Sequence, residues 1–129
     1  MAGIRKPSPV KNLYLPGIRL PVGGVVSILH RVSGVLMVLL LPVSLWVLQQ
    51  SLASAESYLA ITELFARLPG RLFLFVLVLV GAHHLLAGIR HLLQDIDIGI
   101  SRSSGRRGAW LVLTGVLIAV VVAAGCLFR

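Results

Sequence analysis

Two short stretches place chemistry-bearing residues inside otherwise apolar sequence. "SILHRVSG" (Ser27–Gly34) sets Ser27, His30, Arg31 and Ser33 ahead of a run of valines and leucines. "HHLLAGIRHLLQD" (His83–Asp95) closes a second run with His83, His84, Arg90, His91 and Asp95. Ionisable groups in membrane helices are costly and usually meet a partner, a cavity or a cofactor. On a helix Ser27 and Arg31, four residues apart, share a face. His84, Gly88 and His91 follow an i, i+4, i+7 spacing and form one stripe. A deep neutral imidazole can ligate iron, and cationic groups at the membrane edge can hold propionates. A glycine between them lets a flat prosthetic group approach the backbone. These are the parts of a haem site.

Blander readings exist for some of these residues. Arg90 and His91 also suit plain snorkelling at the interface, and Arg31 alone suits an interface anchor. His83 points about 100° away from His84 on an ideal helix, which makes it structural or lipid-facing rather than a ligand. An unpartnered deep histidine costs free energy without return, so His84 is the candidate ligand. Two axial ligands must reach one iron from opposite sides. His91 is too far along the same helix, His83 faces elsewhere, and His30 is expected nearer the surface. A haem here would therefore be shared with another chain.

The elements that position these residues follow from composition and length. The 129-residue chain is 57% hydrophobic and only 12% charged, which marks an integral membrane protein. Its +8 formal charge lies between apolar spans rather than on one face, so it fits juxtamembrane lipid anchoring and not nucleic-acid binding. Cys126 is the one cysteine, which excludes a disulfide framework or a cysteine metal site within the chain. Three spans emerge, at about residues 25–49, 72–94 and 109–128. The first holds Pro42, a local kink that a membrane helix tolerates, and Trp46 near its far interface. The second has only 11 purely apolar residues, "LFLFVLVLVGA". It must continue through the histidines to cross a core that needs about 20. The third is a scaffold helix, with Gly115 and Gly125 as close-packing positions.

Residues 1–24 read as a cytoplasmic arm with no cleavable signal peptide, and residues 25–129 as a single three-helix transmembrane domain. The arm carries Arg5, Lys6, Lys11 and Arg19. The loop from Gln50 to Arg71 balances Glu56 and Glu63 against Arg67 and Arg71, and the flexible connection from Asp95 to Gly108 holds Arg102, Arg106 and Arg107. This bias places the N-terminus in the cytoplasm and the C-terminus in the periplasm. The start of the first span and the end of the second then meet at the cytoplasmic face. The fold expected is an all-α membrane protein within a multi-subunit helical bundle.

Together with "PVKNLYLPGIRLP", the two stretches resemble the cytochrome b556 membrane-anchor subunit of succinate dehydrogenase, the bacterial respiratory complex II. The likeness covers nearly the whole chain and rests on S-x-x-H-R-x-[ST]-G followed by H-x(3)-G-x-R-H-x(3)-D. It implies that Ser27 and Arg31 line a ubiquinone site, and that His84 is the axial ligand of haem b. It also implies that His30, Arg31 and His91 lie near the haem propionates. Asp95 matches an acidic position without an assigned role. His83 stands where the family often has a bulky aromatic, which leaves His83 open as a ligand; the spacing to Gly88 and His91 favours His84. No residue of this chain is then catalytic by itself. The partners implied are a flavoprotein, an iron–sulfur subunit and a second anchor in the bacterial inner membrane. A quinol:fumarate reductase anchor is the alternative, and a non-enzymatic three-span protein ranks below it.

Overall fold

A computed structural model describes residues 20–129; most of the expected N-terminal arm lies outside them. Among the described residues there are four helices: α1 (Val22–Ala53), α2 (Ala55–Ala66), α3 (Leu68–Asp95) and α4 (Arg102–Leu127). Three of them, α1, α3 and α4, are long and apolar enough to cross a membrane. At 1.5 Å per residue α1 is about 48 Å long, α3 about 42 Å and α4 about 39 Å. Each therefore exceeds a hydrocarbon core of about 30 Å. α1 runs unbroken through Pro42.

The helices extend beyond the apolar stretches, and local signals mark the starts of α3 and α4. α3 starts four residues before the apolar run, with Pro69 in its first turn, where the missing amide costs nothing. α4 starts at Arg102, where the Ser101 side chain accepts from the Ser104 amide, satisfying one of the orphan donors at a helix start. Most of the connection expected to be flexible, "RSSGRRG", is thus helical. The true link is short and turns at Asp97 and Gly99, with φ of 62° and 79°.

The stretch from Gln50 to Arg71 is likewise not a loop but largely α2. Ser54 and Ser57 form a reciprocal capping box, each side chain bonding the other's backbone amide. Glu56 in the first turn complements the positive end of the helix. Gly70 makes the return into α3 feasible. A Cβ there would meet the Phe65 Cα at 2.6 Å and would collide with the Leu64 carbonyl oxygen. Gly70→Ala is expected to destabilise the α2–α3 corner by about 1–3 kcal/mol, the usual scale of overpacking. The check is the melting temperature of the detergent-solubilised protein; an unchanged value would show that this corner tolerates the added methyl.

α3 lies against both α1 and α4, and α1 also touches α4. The buried apolar core consists of Val26, Ala87, Ala109, Val112 and Val116, flanked by Val22, Leu86, Leu113 and Val120. All of these come from the start of α1, the second half of α3 and the first three-quarters of α4. Small residues at the contacts let the backbones approach. Gly115 belongs to this set, because a Cβ there would sit 2.8 Å from the Leu86 Cδ1. Gly125 does not: no described residue lies within 4 Å of its Cβ direction, so it packs against no helix of this chain. The helices are held most closely at the end that carries the polar stretches.

Candidate functional site

The α1–α3 seam brings the histidines together. His30 on α1 stacks on His84 of α3, ring centroids 4.3 Å apart and 14° between planes. It also meets His91, at 5.1 Å between centroids and tilted by 53°. Gly88 sits between, and a Cβ there would lie 3.3 Å from the His30 Nε2. The stripe of His84, Gly88 and His91 expected from spacing is therefore the groove that receives His30. His30 thus packs against His84, His91 and the backbone at Gly88 together. The register between two helices decides this, and no pattern within one helix reports it.

The hydrogen bonds of His84 define its tautomer. Ser33 Oγ donates to the His30 carbonyl at 2.9 Å, which uses its single proton. The same oxygen lies 3.2 Å from His84 Nδ1, and the His30 carbonyl lies 3.3 Å from it. Both groups can only accept, so His84 Nδ1 carries the proton and donates. In the neutral ring the lone pair then belongs to Nε2, and no described residue bonds it. An imidazole held through Nδ1–H with a bare Nε2 is the form that ligates metals. Gly34 shapes the seat, since a Cβ on it would come within 3.1 Å of the His84 Cε1.

His83 is buried, at 7% exposure. Its Nε2 donates to the Val26 carbonyl at 3.4 Å, so the ring ties α3 to α1 and does not face lipid. Its Nε2 is spent on protein, in contrast to that of His84. Asp95 is exposed at the last residue of α3. Ser27 is half-buried and Arg31 exposed. Arg31 borders a shallow surface groove with Val32, Val35 and Leu36. The two keep their shared face of α1, and no hydrogen bond joins either of them to the histidines among the described residues.

Sequence reasoning underrated Arg90. Its Nη2 donates to the Gly105 carbonyl at 3.3 Å. A Cβ at Gly23 would lie 3.3 Å from Nη2, and one at Gly108 3.5 Å from Nε. The side chain therefore threads between α1 and α4 instead of snorkelling outward, and two glycines, Gly23 and Gly108, leave room for it. Their recurrence in α1 and α4 was the available signal.

Two observations suit a b-type haem at this seam. His84 presents a single unengaged ring nitrogen. The buried Nε2 of His30 and Nε of Arg90 have no hydrogen-bond partner among the described residues, and polar atoms so placed favour a polar group nearby. No cluster of three or more His, Cys, Asp or Glu among the described residues could hold a bare metal ion. One donor suffices, however, for an iron already held in a macrocycle.

Fold and site together define a multi-pass helical membrane protein with a histidine cluster at one end of its bundle. The chain belongs to the succinate dehydrogenase/fumarate reductase transmembrane subunit family, which it matches over residues 5–123. It is 36% identical over 114 residues to the succinate dehydrogenase cytochrome b556 subunit of Coxiella burnetii, an alignment covering 87% of this chain and 90% of the relative. It is thus a membrane subunit of an oxidoreductase assembly, not catalytic alone.

Proposed function

We propose that this chain anchors a succinate:quinone oxidoreductase in the inner membrane, binds haem b with a second anchor subunit and forms part of a ubiquinone-reduction site. The observation that carries this reading is the pair of acceptors at His84 Nδ1, which leaves Nε2 without a partner among the described residues. Haem supplies a one-electron site beside the quinone when bound. His84 would hold the haem iron through Nε2, and His30, Arg31 and His91 would hold its propionates. Ser27 offers a hydroxyl to a quinone carbonyl oxygen, and Arg31 offers positive charge as that oxygen gains electron density. With the N-terminus in the cytoplasm, both residues lie at the interface, within reach of water for the protons that quinone reduction consumes. The flavoprotein and iron–sulfur subunits dock on that face and deliver the electrons.

The test is to purify the assembly through a tag on this chain. Succinate-dependent reduction of a ubiquinone analogue is expected in the pure complex. A complex that reduces fumarate with a quinol faster than it oxidises succinate would support the reverse-running reductase instead. Gly34→Val checks the seat of His84. The added methyls push the imidazole off its partners, and haem per complex is expected to fall about tenfold, as when a ligand's supporting bonds are lost. A pyridine haemochrome assay reads this, and full haem content would refute it.

A further inference from the structure

The geometry points to Ser33 as the positioning residue that sets the orientation and basicity of the His84 imidazole. This inference rests on His84 as the haem ligand. Ser33 is buried, at 5% exposure, on the face of α1 that also carries Val26. A serine inside a helix commonly bonds back to its own preceding turn, and Ser33 does so to His30 at 2.9 Å. Satisfying itself this way would need no second partner. Yet its oxygen also lies 3.2 Å from His84 Nδ1, across 51 residues of sequence.

Lone-pair counting ranks the two acceptors around that nitrogen. The His30 carbonyl has two lone pairs. One serves the α1 ladder through the amide four residues on, and the other takes the Ser33 proton. The Ser33 oxygen keeps its lone pairs for His84, at the shorter distance. The bonds run in one direction, from His84 Nδ1–H to Ser33 Oγ–H to the His30 carbonyl, and each donor along such a chain strengthens the next acceptor. A stronger acceptor at Nδ1–H makes Nε2 a better electron donor and fixes the ring's rotation. A more strongly donating ligand favours oxidised over reduced iron, so the bond holds the potential of the bound haem down. The hydroxyl of Ser33 thus acts on the iron through His84, without touching it.

The experiment uses the whole membrane complex carrying Ser33→Thr, Ser33→Val and Ser33→Ala. Threonine keeps the hydroxyl, while valine matches threonine in shape without it. Three readouts are haem per complex, the midpoint potential by redox titration of the b-type absorbance, and the low-spin ferric spectrum by electron paramagnetic resonance. Ser33→Thr is expected to match the parent. Ser33→Val and Ser33→Ala are expected to titrate at a higher potential with shifted ferric g-values and haem retention lowered about tenfold. Equal potentials and g-values for the alanine and threonine variants overturn the inference, whether or not the valine variant assembles. His84→Ala, measured in parallel, separates the two failures. A haem signal that survives there removes the ligand assignment itself, whereas its loss beside an unperturbed Ser33→Ala removes only the role of Ser33.

Discussion

Replacing Arg31 by leucine is expected to cut ubiquinone reduction about 100-fold, the scale for removing one preorganised charge from a developing oxyanion. Succinate oxidation with an artificial acceptor should survive. The two rates part because Arg31 is an exposed residue of a membrane helix, whereas on the proposed reading succinate is oxidised in a partner subunit. Truncation there leaves the core of Val26, Ala87 and Ala109 untouched, so assembly is retained. Ser27→Ala should act in the same direction but less, about tenfold at most, since a neutral hydrogen bond contributes about 1 kcal/mol net. Steady-state assays with both acceptors decide the matter: parallel loss of both rates would indicate a broken assembly, and no loss of either would remove Ser27 and Arg31 from the quinone site.

The second large effect concerns the neighbouring histidines. His84→Ala should abolish the b-type band, whereas His83→Ala should keep it. The contrast follows from what each ring already does. His83 donates Nε2–H to the Val26 carbonyl, so its removal leaves a buried acceptor with one bond fewer and costs stability of about 1–3 kcal/mol. His84 spends only Nδ1–H on protein, and its removal takes away an imidazole that combines a fixed ring with a bare lone pair. The measurements are haem content and melting temperature. Haem retained in His84→Ala and lost in His83→Ala would reverse the assignment.

Much of this site was legible in the sequence alone. The length of the second apolar run forced the histidines into the membrane helix, and the period of 3.6 put His84, Gly88 and His91 on one stripe. What the linear pattern lacks is register between helices. The stack of His30 on His84 depends on how far α1 slides along α3, and Gly34 and Gly88 set that distance through space. Ser33 was visible as a polar residue, but its bond to His84 joins positions far apart in sequence. α2 escaped notice because long apolar runs and charge balance do not reveal a 12-residue helix. Its Ser54–Ser57 cap was the local sign. Gly115 and Gly125 look alike in sequence; only the neighbour, Leu86 in one case and no described residue in the other, tells them apart within this chain.

Binding of haem through His84, in a complex that reduces quinone, is read most directly from the dithionite-reduced minus oxidised spectrum of the assembly purified through this chain. The α and Soret bands of a six-coordinate b-type haem are expected, with about one haem per copy of this chain. An assembly that contains the chain and oxidises succinate but shows no b-type band would contradict it.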